Sequence, residues 1–255
     1  MRRIDLNADV GESFGAYTLG QDEAVMRHIT SANIACGLHA GDPCVMRDTV
    51  RLAVTAGVGI GAHPGFPDLT GFGRREMEMS ERQVEDLVAY QIGALAGVAA
   101  AEEARLHHVK PHGALYNMAA RDRRLADAIA RAVVDIDATL VLFGLAGSAL
   151  IDAAESVGLR TASEVFADRV YQADGALVPR GQPGAVIDDP KLLVERAVRL
   201  AQDGTVVAQS GETLELRSDT ICLHGDTSGA AELAARLRSG LEAAGVRVLP
   251  VGMGE

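Results

Sequence analysis

The chain has no tryptophan, few aromatic residues of any kind (4%), three cysteines, and two lysines among 24 basic residues. Cys36, Cys44 and Cys222 form an odd set without CxxC spacing. That excludes a disulfide framework and a zinc ribbon and leaves reduced thiols, as in a cytoplasmic protein. No apolar segment follows Arg2 and Arg3, so no secretory signal is read there. The longest apolar runs, near 93–101 and 139–146, are too short to cross a bilayer. The net charge is −11, and the basic residues are scattered apart from Arg121, Arg123 and Arg124 at what reads as a solvated helix start. Nucleic acid and anionic membrane surfaces are therefore not expected partners. Several catalytic signatures are also missing: the G-x4-G-K-[ST] phosphate loop, H-E-x-x-H and G-x-S-x-G. Gly144-Leu145-Ala146-Gly147 is a glycine turn and not a dinucleotide fingerprint.

What is present is alternation. In Ile4-Asp5-Leu6-Asn7-Ala8-Asp9-Val10 a strand puts the apolar residues on one face and Asp5, Asn7 and Asp9 on the other. Buried charge is costly unless it is paired or used. The pattern recurs in Ser31–Cys36, in Gly57–Gly61 leading to His63, in His108–His112 and in Thr220–His224. Five strand-like segments with one polar or glycine face converge on a shared interior, which describes an active site.

Helix signals separate these strands. Asp42-Pro43 and Asp189-Pro190 read as N-caps followed by proline, and Gly57 and Gly204 end the two helices. Ser80 with Gln83 makes a capping box. Further helices fit 125–134, 150–157 and a stretch from about Ser228 to Gly245. Strands are expected near 4–9, 31–36, 57–62, 107–112, 139–144, 160–166 and 219–224, with 246–251 as a further one. Alternating β and α units imply a parallel sheet with right-handed crossovers. An open doubly wound sheet would be apolar on both faces. The repeated polar face favours a closed (β/α) barrel, and no linker divides 1–255 into two domains.

In such barrels the site lies at the C-terminal ends of the strands. There fall Asp9 and Glu12, His39 and Asp42, His63 with Arg74 and Arg75, Lys110 and His112, Glu164 with Asp168 and Arg169, and His224 and Asp226. Plainer roles compete. Asp42 and Asp226 precede helices and can be caps alone; His28 and His107 read as surface histidines. Lys110 can be a structural partner of Asp5 or Asp9, and Glu164 of Arg169. His108 and His112 match H-x3-H, but on a strand their rings lie roughly 13 Å apart and cannot share one metal.

The segments Asp5–Glu12, Ala32–Pro43, His63–Asp68, Val109–Asn117 and Leu223–Asp226 together resemble the lactam-utilisation family, the A subunits of 5-oxoprolinase, from residue 4 to about 250. The resemblance implies a seven-stranded barrel of the glycoside hydrolase/deacetylase type. It also implies ATP-dependent cleavage of 5-oxo-L-proline to L-glutamate with separate B and C subunits. A lactam amide is a poor electrophile, so phosphorylating its oxygen makes chemical sense, and a chain without a phosphate loop suits partners that handle the nucleotide. On this reading Asp9 or Glu12 is the general base, His39, His63 or His224 an acid or orienting group, and Lys110 the stabiliser of charge on oxygen. Asn7, Asn33, His112, Glu164, Arg169 and Asp226 are assigned to substrate. The related deacetylases hold a divalent metal with Asp and His. The D-D pattern is absent here and the one H-x3-H match falls on a strand, so no metal site is assigned firmly; Asp9, His39 and His63 are the candidate set. Two alternatives differ in class. A stand-alone metal-dependent amide or sugar deacetylase would lose activity on chelation and need no ATP. A non-catalytic lactam carrier would still bind after loss of Asp9 and Glu12.

Overall fold

The first strand sets the architecture. β1 (Arg3–Val10) turns Ile4, Leu6, Ala8 and Val10 outward and Asp5, Asn7 and Asp9 inward, and both faces are buried. The computed structural model describes residues 2–223 and 229–252. After β1 come α1 (Asp22–Met26), β2 (Ser31–Ala35), α2 (Pro43–Ala56), β3 (Gly59–His63), α3 (Glu81–Ala101) and β4 (His108–Val109). Then follow α4 (Gly113–Ala119), α5 (Arg123–Asp137), β5 (Val141–Leu145), α6 (Ala149–Ser156), β6 (Arg160–Phe166) and α7 (Pro190–Asp203). The chain continues through β7 (Thr205–Val207), β8 (Thr213–Glu215), β9 (Thr220–Leu223), α8 (Ala230–Ala243) and β10 (Arg247–Val248).

Strands β1 to β6 and β9 pair in parallel, and β9 pairs back onto β1, closing a seven-stranded (β/α) barrel. The register stacks the inward residues in tiers. Asn7 lies opposite Ser31 and Cys222, Asp9 opposite Asn33, Asn33 opposite Gly61, Gly61 opposite His108, and Glu164 opposite Thr220. A Cβ on Gly61 would collide with the His108 ring, so the glycine makes room for an imidazole inside the lumen. His108 stacks on Phe143, their rings 4.2 Å apart, and Val141, Phe143 and Ala162 pack as a small apolar plug with Val251. The outward faces of the strands join the helices in the main core.

The helix ends match their chemistry. Asp42 accepts from the Cys44 and Val45 amides, Asp189 from those of Lys191 and Leu192, and Ser80 and Gln83 form the reciprocal box. Gly57 (φ 67°) and Gly204 (φ 66°) take the left-handed conformation that ends α2 and α7. Gly57 therefore belongs to the helix, and β3 begins two residues later than expected. β4 is only two residues long, because Pro111 has no N–H to continue a ladder. β10 does not extend the barrel wall; it pairs only with Arg3 and Ile4, at the start of β1. Helices α1 and α4 and the β7–β8 hairpin carry no strong periodicity and were not expected. α3 is long and apolar enough to cross a membrane by composition. Here Val84, Val88, Ile92, Leu95 and Ala99 are buried, and its main packing partner is α5. His107 is half-buried rather than a surface residue, donating from Nε2 to the Val251 carbonyl (2.8 Å).

Candidate active site

The lumen is filled by one continuous polar network. At its lower end Asp5 accepts from Thr30, Ser31 and Thr220, hydroxyls that bring no positive charge. Burial pushes the Asp5 carboxyl up to about 6 despite those three bonds. One tier higher, Asn7 donates to Thr220 (2.7 Å) and to Glu164 Oε1 (2.9 Å). His108 donates to Asn33 Oδ1 (2.8 Å), and Asn33 donates to Asn7 Oδ1 (2.7 Å) and Asp9 Oδ1 (2.9 Å). Each amide is thereby fixed in orientation by what lies on both sides.

Lys110 is the node at the upper end. Its Nζ reaches Asp9 Oδ1 (3.0 Å), Glu164 Oε1 (2.8 Å), Asn7 Oδ1 (3.1 Å) and Cys222 Sγ (3.0 Å). Burial works against the ammonium, but Asp9 and Glu164 outweigh it and hold Lys110 well above its ordinary range. Burial in turn pushes the Cys222 thiol well up, so it meets Lys110 as a neutral group. Glu164 does not pair with Arg169, as its place in the sequence suggests; it is committed to Lys110 and Asn7.

Above Lys110 three histidines gather. His63 ends β3, His112 caps the start of α4, and His39 lies after β2. His39 stacks on His112 (3.9 Å between rings) and meets His63 edge-on (5.5 Å). His63 Nε2 lies 3.3 Å from Asp9 Oδ2 and 2.9 Å from His112 Nδ1. Burial, then the neighbouring imidazoles, drives His39 well below its usual range and His112 down to about 3. Both rings are therefore neutral near pH 7. Glu12, His39, His63 and His112 offer ligand atoms within 4.8 Å of one another, a set that fits a metal ion. Two histidines of the expected set, His39 and His63, are in this group, joined by Glu12 and His112; Asp9 is not in it and lies beside His63, its Oδ1 engaged by Lys110 and Asn33. His108 and His112 do sit apart, one deep in the lumen and one at its mouth.

The loops that carry these rings are pinned from outside. Gln91 on α3 both accepts from the Gly65 amide and donates to its carbonyl (2.9 Å each), holding the turn after His63. Gly65 and Gly73 press on His39; a Cβ there would lie 2.6 Å from Nδ1 and 2.8 Å from its Cβ. Asp68, bound by Arg75, caps the short helical turn 69–71 that presents the Phe72 carbonyl to His112. Asp22 accepts from the Gly11 amide (2.9 Å) and fixes the turn that leads to Glu12.

A cavity of about 540 Å³ opens above this floor. Asp9, His63, Lys110 and His112 line its base, and Tyr116, Phe166, Arg169, Ser148, Arg74 and Arg180 its walls. Arg169 is buried, its Nη2 donates to the Val178 carbonyl (2.6 Å), and its Nε has no partner. No carboxylate pairs with it among the described residues. Asn7, Asn33 and Glu164, assigned to substrate from sequence, are not among the cavity-lining residues; they contact Asp9 and Lys110, which are. His224 and Asp226 lie outside the described residues. Sequence reasoning did not single out Tyr116 or Ser148, although Tyr116 lies in the Val109–Asn117 motif; Cys222 shares the polar face noted around Thr220 and His224.

The closed seven-stranded (β/α) barrel, with a buried acid, lysine and histidine cluster at its C-terminal mouth, is a TIM-like barrel of the deacetylase type. The chain belongs to the LamB/YcsF family, whose model matches residues 4–254. The 5-oxoprolinase A subunit of Bordetella pertussis is 57% identical over 245 residues, 96% of this chain and 97% of that protein. The crystal structure of the lactam utilization protein from Thermus thermophilus superposes with a TM-score of 0.92 at 48% identity, covering 97% of this chain and 99% of that one. A family 4 carbohydrate esterase from Streptomyces lividans, 12% identical with a TM-score of 0.51 over 97% of this chain and 91% of its own, shares the fold alone.

Proposed function

We propose that this chain is the lactam-opening subunit of a cytoplasmic, ATP-dependent 5-oxoprolinase, hydrolysing 5-oxo-L-proline to L-glutamate together with B and C subunits. The observation that carries the reading is the buried Arg169, its Nε without a partner, in the wall of a cavity floored by Asp9 and Lys110. It joins 57% identity over 96% of this chain to a protein named as a 5-oxoprolinase A subunit. 5-Oxoproline is a small anion bearing one carboxylate and one lactam. Arg169 suits the carboxylate, since a guanidinium binds carboxylate in a two-pronged geometry. With the carboxylate held there, the lactam would lie over the floor.

In the net reaction the ring C–N bond breaks, the hydroxyl of one water joins the carbonyl carbon and a proton ends on the departing nitrogen, while a second water is consumed as ATP becomes ADP and phosphate. Asp9 has one oxygen engaged by Asn33 and Lys110, and the other, Oδ2 beside His63, takes the proton of the attacking water. Glu12 is the second carboxylate within reach of that work. Lys110 supplies fixed positive charge where negative charge develops on oxygen. His63 orients Asp9. If a metal occupies the histidine set, Glu12, His39, His63 and His112 would hold it, and it would polarise water or carbonyl oxygen.

Reconstitution tests the assignment. With the B and C subunits present, adding this chain should confer glutamate formation and 5-oxoproline-dependent ATP hydrolysis, and the isolated chain should turn over poorly. A second reading, a stand-alone metal-dependent amide or sugar deacetylase, draws on the histidine cluster. Full activity of the isolated chain without ATP, lost on chelation, selects it and rejects the first.

A further inference from the structure

His63 and His112 each spend one ring N–H on a backbone carbonyl. His63 Nδ1 donates to the Lys110 carbonyl (2.7 Å) and His112 Nε2 to that of Phe72 (2.8 Å). A carbonyl only accepts, so these two assignments are forced. In a neutral imidazole the other nitrogen then carries a lone pair. The two leftover nitrogens, His63 Nε2 and His112 Nδ1, face each other at 2.9 Å. Asp9 Oδ2, also an acceptor, lies 3.3 Å from the first of them. Acceptors do not gather at such distances without a positive centre among them.

A single shared proton would satisfy one of these contacts and nothing else. It would leave His39 with both ring nitrogens buried and without a partner, packed between Gly65, Gly73 and the His112 ring. Each such orphan costs about 1–3 kcal/mol. A metal ion accounts together for the facing nitrogen pair and for one of the two His39 nitrogens. Two nitrogens bound to one zinc at about 2.0–2.1 Å stand roughly 2.9–3.4 Å apart for bond angles of about 90–110°, and the 2.9 Å seen here is at the short end of that range. Both carbonyl bonds are the kind of outer contact that fixes a ligating histidine's tautomer.

We propose that Glu12, His39, His63 and His112 bind one divalent transition-metal ion of the zinc class at the mouth of the barrel. Three imidazoles and one carboxylate select zinc, cobalt, nickel or iron over magnesium and calcium, which prefer oxygen. His63 and His112 both line the cavity, so the ion would face it. The proposal does not depend on the lactam reading, because metal binding is measured without substrate or partner subunits.

The test is titration of the chelator-stripped full-length chain with zinc chloride and, separately, cobalt chloride. Calorimetry should give one ion per chain, and cobalt should develop visible absorption bands of a nitrogen- and oxygen-ligated centre. Zinc, unlike magnesium, should raise the melting temperature. His39→Gln and His112→Gln should each weaken binding by more than the roughly 10–100-fold that loss of an outer partner costs. The remote His28→Gln should bind like the parent. The variants are compared only if their circular dichroism matches the parent; the wild-type titration stands without them. Absence of one-to-one zinc or cobalt uptake by the wild-type chain overturns the proposal and leaves the shared proton. Unchanged binding in both folded variants overturns it too. If metal binds as proposed while the reconstituted complex fails to open 5-oxoproline, the site stands and the functional reading falls.

Discussion

Asp5 and Asp9 stand four residues apart on one strand, point into one lumen and are both buried, yet their surroundings set them to different tasks. Asp5 is held by three hydroxyls with no cation, and its carboxyl is driven up to about 6. Asp9 shares Lys110 with Glu164, touches His63 and reaches the cavity. A polar residue inside a barrel is thus not evidence of chemistry by itself. What marks a working group is a charge partner together with access to the space where a substrate fits.

The largest effect should come from the node that separates the two ends. Lys110→Met leaves Asp9 and Glu164 as buried, uncompensated carboxylates, so it should cost roughly 3–5 kcal/mol of stability in addition to abolishing turnover. Adding Asp9→Asn and Glu164→Gln should recover most of that stability and none of the activity. Denaturant melts of the single and triple variants check this; a single variant as stable as the parent would show that the ion pairs are not what holds the upper lumen together.

Asp9→Asn keeps the volume and one hydrogen-bond acceptor. Turnover in the reconstituted complex should fall by about 10²-fold or more if Asp9 is the base, with the fold retained. Near-normal kcat would move the base elsewhere, with Glu12 the first alternative. Arg169→Met should act more weakly and differently. Losing a charge-assisted hydrogen bond worth about 1.5–3 kcal/mol should cut kcat/KM by roughly 10–100-fold, mostly through KM for 5-oxoproline. An equal fall in kcat with KM unchanged would remove Arg169 from the carboxylate subsite.

Asp5 provides the smallest effect, visible only against pH. Its folded carboxyl titrates near 6 against 3.8 in the unfolded chain, so the folded state holds the proton more tightly. The stability Asp5 contributes is full below about pH 4, declines between about 4 and 6, and is gone above that, a change of at most about 3 kcal/mol. Asp5→Asn removes this titration. Parent minus variant stability, from urea melts at pH 4 and pH 7, should therefore fall as pH rises; a difference that stays flat would mean Asp5 is ionised in the fold throughout.

The barrel and its polar lumen were legible because alternation has period two and glycine and proline mark helix ends by backbone geometry. Asp42, Ser80, Gly57 and Gly204 behave as local chemistry dictates. Pairings across the lumen were less legible. Glu164 is near Arg169 in sequence but faces Lys110 across the barrel, a choice made by register alone. The same holds for His112, which reads as one end of an H-x3-H spacing and joins instead with His39 from the loop after β2 and His63 from the end of β3. Which nitrogen of each histidine is spoken for depends on the carbonyls of Lys110 and Phe72, and no spacing rule records that.

The pairing of β9 with β1 also governs when the molecule can mature. Ring closure joins residues 5–8 to 220–223, a separation of nearly the whole chain, and folds dominated by such distant pairings form slowly. Until the seventh wall strand leaves the ribosome, β1 and β6 each present a bare hydrogen-bonding edge, the template on which chains aggregate. Asn7 and Glu164 meanwhile lack the strand that carries Thr220 and Cys222. Barrel closure and completion of the polar node are therefore one late event, and a chain interrupted before residue 220 should be a client for chaperones and proteases rather than a partly working subunit.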